Sequence, residues 1–397
     1  MKTKLFAVFL ICASIVGINC RGQEQTNAPV NQEPKDEGLR QLLANVFARE
    51  DSNHDGRLTL PELIAVMENP QTTADETAAA MVIQHSLDGK YGENPAKSLS
   101  LTDAFALGSN PKSGKDFKRI RAHMDSIKHE LFLPGEPNIE EIHQGPVGDC
   151  YLMSPIAALV NSNPQAIRSM IHPSGDGGYD VAFGNGTTIH VSPLTEADMA
   201  VPGLRKSSGH GIWLSVLQKA YSQIKGAQAR AKHGSTYTDD MTEGEILGGG
   251  SSAAIINLLT GHQPRNLITR PQAGENAMQA TARVSAMLTR LSDAKKVMTT
   301  SAGQGEVKPA NLPHGGHVQA VLGYDPVKRI VHVFNPWGNN LTPDGPPGLV
   351  NGYVIRDGHY DVPVDEFVRI FGAVGYESDQ QTIPRSAKPA KKDKKQK

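Results

Sequence analysis

One cysteine in this chain has the surroundings of a reactive thiol. Cys150 follows the stretch Gln144-Gly145-Pro146-Val147-Gly148-Asp149 and precedes an apolar run that predicts a helix over 151–161. Unpaired backbone N–H groups at a helix N-terminus lower the pKa of a cysteine and favour its nucleophilic thiolate. Asp149 is a residue type that caps such helices, and the Gln144 amide together with the Cys150 N–H would make an oxyanion hole. We therefore predict Cys150 as a nucleophile and Gln144 as an oxyanion donor.

The cysteine count supports a chemical role for Cys150. The chain has three cysteines, and Cys12 and Cys20 both lie at its extreme N-terminus, so Cys150 has no evident disulfide partner. An unpaired thiol is a liability in an exported protein unless its chemistry is used. The alternative, a buried inert thiol, does not account for the Gln, Gly and Asp residues that precede it.

The N-terminus has the order of a secretion signal. Two lysines precede an apolar run over 5–18 that is too short to span a bilayer comfortably. This order predicts a signal peptide over 1–20, followed by a polar linker over 21–36. Cys20 stands where a bacterial lipoprotein carries its acylated cysteine, but Gly17-Ile18-Asn19 is a poor lipobox, so lipidation stays open. We expect an exported protein, secreted, periplasmic or envelope-associated, that contacts a membrane only through such lipidation.

A loop over 51–62 has the spacing of a calcium-binding EF-hand. Its oxygen donors stand at alternate positions, a glycine permits the sharp turn, and a glutamate at the end offers a bidentate carboxylate. The candidate ligands are Asp51, Asn53, Asp55, the carbonyl of Arg57, Thr59 and Glu62. Residues 99–104 repeat the pattern of 58–63, which indicates a sister hand without a matching set of acidic ligands. We predict a Ca²⁺ site in an EF-hand module over 37–110; the alternative is a surface turn rich in Asp, Asn and Gly.

Three separate stretches resemble the active-site segments of calpains. Residues 144–152 resemble the calpain nucleophile segment, in which Gln and Cys have this separation and an aromatic follows Gly-Asp-Cys. Gly315-Gly316-His317 resembles the Gly-His segment that opens a strand, and Asn335-Pro336-Trp337-Gly338 is similar to the family's Asn-Pro-Trp-Gly. The resemblance implies that His317 is the general base, Asn335 orients its ring and Trp337 shields their hydrogen bond. It also implies a cysteine endopeptidase that acts on protein substrates.

The resemblance extends over roughly 134–376 and includes two departures. Further pieces at 213–221, 248–261 and 364–371 follow in the family's order. Pro155 lies inside the predicted nucleophile helix, where it removes a backbone donor and would favour a kink. Val318-Gln319 replaces the more usual residues after the base. The calcium sites that calpains carry within the protease core cannot be placed on residues of this chain, so none is assigned.

The distribution of helix and strand patterns predicts an α+β protein. Helical patterns dominate up to a connecting helix at 111–133, and a core over 134–380 has helices first and strands later. Short runs typical of β-strands predict strands over 297–300, 318–324, 330–334 and 352–355. The expected architecture is a papain-like two-lobe cysteine protease core preceded by a small all-α EF-hand domain. A Lys-rich tail over 381–397 is expected to be disordered.

Charge excludes some partners and leaves two other functions open. The 397 residues carry a formal net charge of −1, which gives no reason to expect a nucleic acid or an anionic membrane as the partner. One alternative function is a calcium-binding envelope protein whose inactive protease fold serves for binding. Acyl transfer on the same triad differs from hydrolysis only in the acceptor and also stays open. The sequence does not predict an oligomeric state.

Overall fold

A computed structural model describes residues 37–145, 147–200, 210–238, 241–302, 305–313 and 315–382. The predicted signal peptide, the polar linker, Cys20 and residues 383–397 of the predicted tail lie outside the described residues. The residues that the structure describes belong to one compact unit. None of their helices is both long enough and apolar enough to cross a membrane.

The N-terminal region consists of helices joined by one short pair of strands. Its elements are α1 (Glu37–Glu50), β1 (Arg57–Thr59), α2 (Leu60–Glu68), α3 (Ala74–Leu87), β2 (Ser98–Ser100), α4 (Leu101–Leu107) and α5 (Pro111–Ser126). β1 and β2 are antiparallel, with Leu58 opposite Leu99. Both strands lead directly into a helix, and Thr59 and Ser100 stand at the N-termini of α2 and α4. Two helix–strand–helix units therefore pair through the segments that the sequence repeat relates.

The middle of the chain forms a helical layer beside a small sheet. A single turn of 3₁₀ helix (Ile139–Glu141) is followed by α6 (Cys150–Ser162), α7 (Pro164–Met170), β3 (Ile171–Pro173), β4 (Tyr179–Ala182), β5 (Thr188–Val191), α8 (Glu196–Ala200), α9 (Trp213–His233), α10 (Glu243–Leu247) and α11 (Ser252–Thr260). β3, β4 and β5 form an antiparallel sheet in chain order. One hydrophobic cluster holds this part together, and buried residues of α6 and α9, including Trp213 and Ile156, lie at its centre.

The C-terminal part is a six-stranded antiparallel sheet with two helices. Its elements are β6 (His262–Ile268), α12 (Ala277–Asp293), β7 (Met298–Ala302), β8 (Val318–Asp325), β9 (Ile330–Phe334), β10 (His359–Pro363), α13 (Val364–Ile370) and β11 (Phe371–Gln381). The strand order is β10-β9-β8-β7-β11-β6. A separate hydrophobic cluster lies between this sheet and the helices α12 and α13. The mixed α+β class is therefore confirmed. Most buried apolar residues after residue 130 belong to one of these two hydrophobic clusters.

One predicted strand is wrong. The segment over 352–355 makes only isolated bridges, from Gly352 to Gly348 and from Ile355 to Leu341. Gly352 has a φ of 90°, a value that does not occur in an extended strand. The neighbour of β9 is instead β10, in which Tyr360 stands opposite Val333.

Helix α8 belongs to the hydrophobic core of the N-terminal region. Ala200 is fully buried and clusters with residues of α1 to α5, such as Ile83 and Met124. α8 contacts α2, α3 and α5. A helix from the middle of the chain thus completes the N-terminal core, and helix α5, which ends at Ser126, packs into the same cluster. The predicted boundaries at 110 and 133 stay predictions.

We expect Ala200→Leu to destabilise the whole protein, because the three added carbon atoms have no free volume around a fully buried alanine. Overpacking of this kind costs about 1–3 kcal/mol of unfolding free energy. The matched control is Ala197→Leu on the same helix, because Ala197 lines a cavity of about 130 Å³. Urea denaturation of both variants measures the difference; equal midpoints would contradict the shared core.

Candidate active site

Cys150 is the first residue of helix α6, and Asp149 precedes it. The backbone carbonyl of Asp149 accepts the N–H groups of Leu152 at 2.8 Å and Met153 at 3.0 Å. Its carboxylate does not cap the helix, in contrast to the sequence-based expectation. It is fully buried and accepts a hydrogen bond from Gln218 Nε2 on α9 at 2.7 Å. Burial raises the pKa of Asp149 to about 7.

The Cys150 thiol lies between α6 and strand β8. Its Sγ accepts the backbone N–H of Val318 at 3.4 Å. Burial raises the pKa of the thiol above its usual value, the Val318 N–H lowers it, and the charge of neighbouring Asp149 raises it further. The net direction is opposite to the lowering that a helix N-terminus alone predicts. The resting thiol therefore needs a base to become the nucleophile.

His317 and Asn335 form a buried pair. His317 Nε2–H donates to Asn335 Oδ1 at 2.7 Å, and the Trp337 backbone N–H donates to the same oxygen at 3.1 Å. Two donors that converge on one atom identify it as the amide oxygen. The rings of His317 and Trp337 lie 4.2 Å apart between centroids, so the indole covers this hydrogen bond. Because Nε2 is engaged, the Nδ1 atom of His317 is the nitrogen left for the thiol.

Strand β8 joins the thiol to the imidazole. Val318, whose N–H bonds Cys150 Sγ, is the residue after His317. Ser154, one turn into α6, donates its hydroxyl to the Val318 carbonyl at 2.9 Å. Pro155 lies inside α6, which nevertheless continues to Ser162. The structure thus brings Cys150, His317 and Asn335 to one place, where α6 meets the start of β8 and the end of β9.

Gln144 lies beside the same place. Its backbone N–H donates to the carbonyl of Pro336 at 2.7 Å, which fixes it against the Asn-Pro-Trp-Gly turn. Its side chain is buried, and Nε2 donates to the Val147 carbonyl at 2.6 Å. A side-chain amide has two N–H donors, so this bond leaves one of them for another acceptor.

The predicted calcium ligands lie in the loop between α1 and α2. Asp51 accepts backbone N–H bonds from Asp55 at 3.0 Å and from Gly56 at 2.9 Å. The Asn53 side chain accepts the Asp55 N–H at 2.9 Å, and the Asp55 carboxylate accepts the Arg57 N–H at 2.8 Å. Gly56 has a φ of 74°, a conformation that favours glycine. These bonds wrap the first half of the loop around its own oxygen atoms.

Glu62 closes the loop from the first turn of α2. Its Oε1 accepts the Ser52 N–H at 3.1 Å, and its Oε2 accepts the Thr59 N–H at 2.9 Å and the Thr59 hydroxyl at 2.7 Å. Burial would raise the pKa of Glu62, but these bonds hold it below its usual value. In the described ranges, no group of three or more His, Cys, Asp or Glu side chains is arranged to hold a metal ion. The six predicted ligands therefore lie in one loop, and the Glu62 carboxylate is bonded to Ser52 and Thr59 of that loop.

Comparison with known protein families shows which family this chain belongs to. A sequence profile described as calpain family cysteine protease matches residues 92–343, more than half of the chain. The chain belongs to the calpain family of cysteine proteases. The predicted family is therefore confirmed, and the elements from β2 to β9 lie within the calpain match.

Calpain-9 proteins are similar to part of this calpain-family chain. Calpain-9 of Rattus norvegicus is 26% identical over 232 residues, which cover 53% of this chain and 30% of that protein. Calpain-9 of Homo sapiens is 26% identical over 233 residues, with the same coverage of both chains. The match spans less than a third of the length of these relatives.

Two polar residues that contact the surroundings of Cys150 were missed in the sequence. Ser154 bonds strand β8, and Gln218 bonds the carboxylate of Asp149. Ser154 lies one helical turn from Cys150, and a polar residue in that apolar helix was the available signal. Gln218 is 69 residues from Asp149, and no local pattern relates the two.

We expect Asp149→Asn to make Cys150 more reactive above about pH 7, where the carboxylate of the wild-type protein is ionised. The ionised carboxylate raises the pKa of the thiol, and asparagine keeps its shape without the charge. The pH midpoint of Cys150 alkylation by iodoacetamide should fall, because the variant lacks the negative charge that disfavours the thiolate.

Two variants control this measurement. Asp176→Asn removes an exposed carboxylate from the β3–β4 turn and should leave the midpoint unchanged. Cys150→Ser identifies the labelled thiol. An alkylation profile of Asp149→Asn that coincides with the wild-type profile would contradict the electrostatic effect.

Proposed function

We propose that this protein is an endopeptidase that hydrolyses protein substrates through a Cys150–His317–Asn335 triad. One observation carries the proposal: the thiol of Cys150 accepts the N–H of Val318, the residue that follows a histidine already paired with an asparagine. A thiol, a neighbouring imidazole and an amide that orients the imidazole are the groups that nucleophilic catalysis at a carbonyl uses. Family membership supports protein as the substrate class.

The first half of the reaction forms a thioester. His317 Nδ1 takes the proton of the Cys150 thiol, and the resulting thiolate attacks the carbonyl carbon of a peptide bond. The oxygen gains a negative charge, which the Cys150 backbone N–H and the second N–H of Gln144 stabilise. His317 then gives the proton to the leaving amine as the C–N bond breaks.

The second half restores the enzyme. His317 Nδ1 removes a proton from water, which attacks the thioester carbonyl. The C–S bond breaks, the carboxylic acid product leaves, and the proton returns to the sulfur. Burial lowers the pKa of His317, whereas the Asn335 hydrogen bond raises it, and the net effect is a lowering. The imidazole is thereby kept in the neutral form that can act as a base.

We expect Cys150→Ala and His317→Ala each to lose about 10³-fold or more of casein-cleaving kcat/KM, because each removes a member of the triad. The matched control is His332→Ala, since His332 lies on strand β9 with its ring partly exposed and bonded to Asp361. That variant should stay within about threefold of wild type because it removes no group near the thiol. Full activity in Cys150→Ala would disprove the triad.

The wild-type result also separates the alternative functions. A wild-type protein that binds casein without cleaving it would favour the inactive binding protein. Transfer of the acyl group to an added amine in preference to water would favour acyl transfer. Either result is visible by mass spectrometry of the casein products.

We further propose that the loop over 51–62 binds Ca²⁺ through Asp51, Asn53, Asp55, Arg57, Thr59 and Glu62. The support is the oxygen-rich spacing, the pairing of β1 with β2 and the turn at Gly56. Calpains are calcium-regulated, which makes a calcium role consistent with the family. On binding, Glu62 would exchange its bonds to Ser52 and Thr59 for the ion.

We expect Glu62→Gln to weaken Ca²⁺ binding by about tenfold or more, because it removes one charge and a bidentate ligand. The matched control is Glu68→Gln, which removes the same charge from the last turn of the same helix. Calorimetric titration of the full chain with Ca²⁺ measures both. Equal affinities of wild type and Glu62→Gln would remove the loop from consideration.

Export remains part of the proposal on the strength of the sequence alone. The support is the order of two lysines and a short apolar run over 5–18. Membrane attachment would depend on an acyl group at Cys20. Mass spectrometry of the mature protein would show whether residues 1–20 are removed and whether Cys20 is acylated; an intact N-terminus would contradict export by this route.

A further inference from the structure

A strip of exposed backbone without side chains lies beside the thiol. We define the glycine strip as Gly148 together with Gly248–Gly250, all of which are exposed. The two parts are joined by the Gly249 N–H, which donates to the Gly148 carbonyl at 3.0 Å. Gly148 is two residues before Cys150, and a Cβ atom at Gly250 would lie 2.2 Å from the Tyr151 ring. Backbone that is exposed and free of side chains can approach a ligand closely.

Lys225 on helix α9 binds the carbonyl groups of this strip. Its ammonium donates to the carbonyl of Leu247 at 3.1 Å, to that of Gly248 at 3.0 Å and to that of Gly249. Leu247 is the last residue of α10, where carbonyl groups lack helical partners and favour a positive charge. Three consecutive carbonyls thus turn toward one ammonium, which leaves the opposite side of the strip exposed.

Tyr151 connects the same ammonium to the nucleophile helix. The Lys225 ammonium lies 5.3 Å from the centroid of the Tyr151 ring and 3.3 Å from its hydroxyl. That hydroxyl donates to the Leu247 carbonyl at 2.7 Å. Tyr151 is almost fully buried and follows Cys150 directly. The position of the strip relative to the thiol is therefore set by Lys225 and Tyr151 together.

We propose that Lys225 is a positioning residue for substrate: it fixes the glycine strip at the edge of the thiol, where the exposed backbone pairs with the main chain of an extended peptide. This inference rests on the proposed peptidase function. Lys225 touches neither the thiol nor the imidazole, and its hydrogen bonds within the described ranges go to the strip, to Leu247 and to Tyr151. Its removal should affect the binding of a peptide more than the chemistry of the thiol.

The first arm of the test is kinetic. We expect Lys225→Met to raise KM for an extended fluorogenic peptide about tenfold, with kcat within about threefold, because it removes peptide positioning and leaves the triad in place. Alkylation of Cys150 by iodoacetamide should keep its wild-type rate. Lys232→Met, at an exposed position of the same helix, removes the same charge as a control and should leave KM unchanged. A wild-type KM in Lys225→Met would overturn the proposal.

The second arm uses chemical rescue. Lys225→Ala leaves the Gly248 and Gly249 carbonyls without their ammonium donor, and ethylammonium chloride supplies a primary ammonium of matching chemistry. We expect added ethylammonium to lower the KM of this variant toward the wild-type value and to leave Lys232→Ala unaffected. Equal responses of the two variants would overturn the specific role of the ammonium.

The third arm does not depend on activity and separates the two proposals. Amide hydrogen exchange over 248–251 should be faster in Lys225→Met than in wild type. The Gly248 and Gly249 carbonyls lose the ammonium that holds them, so the bond from the Gly249 N–H to the Gly148 carbonyl opens more often. Unchanged exchange would overturn the positioning role, whether or not the protein cleaves peptides. Failure of the wild-type protein to cleave any peptide, with faster exchange in the variant, would refute the peptidase function and support the anchoring of the strip by Lys225.

Discussion

The contact between helix α6 and strand β8 is the constraint on which the site depends. Two short interactions make it: the Val318 N–H meets Cys150 Sγ, and Ser154 Oγ–H meets the Val318 carbonyl. Both backbone groups of one residue are therefore fixed by one face of α6. Because His317 precedes Val318, this contact also fixes the imidazole, and the turn that carries Asn335 and Trp337 completes its surroundings. The nucleophile-bearing end of α6 and the first residue of β8, an interior strand of the six-stranded sheet, are thus held together through the backbone of a single residue.

The electrostatics of the site follow from burial. Burial raises the pKa of the thiol and that of Asp149, and it lowers the pKa of His317. All three directions favour neutral groups, so the resting site resists the separation of charge that the reaction needs. The Val318 N–H and the Asn335 oxygen act in the opposite sense, because each stabilises a charged form of its partner. In the proposed reaction, proton transfer from Cys150 to His317 is therefore unfavourable in the resting site and would occur when substrate is bound.

Short sequence motifs predicted which side chains belong to the site, whereas contacts between residues far apart in the chain could not be predicted from the sequence. Cys150, His317 and Asn335 each stand in a short run whose residue types indicate a role, and the structure places them together. The cap expected of Asp149 failed because its carboxylate is turned inward to Gln218, a partner on a distant helix. Strand β6 was missed because it is an edge strand with exposed polar residues and Pro264, and so lacks an apolar alternation. Gln218 and Lys225 lie about two turns apart on α9 and therefore on one face of that helix. Their spacing could have indicated from the sequence that this polar face contacts the rest of the protein.

Helix α9 connects the N-terminal region to the glycine strip. Lys219 donates to Asp198 of α8 at 2.7 Å and to Glu243 of α10 at 3.3 Å. Although burial lowers it, the two carboxylates raise the pKa of Lys219 above its usual value. α8 is part of the N-terminal core through Ala200, and α10 ends at the residue whose carbonyl Lys225 binds. The same helix therefore holds both ends of α10, one through a buried ion pair and the other through carbonyl groups. The position of the strip, and with it the proposed peptide-binding edge, depends on packing that begins in the N-terminal region.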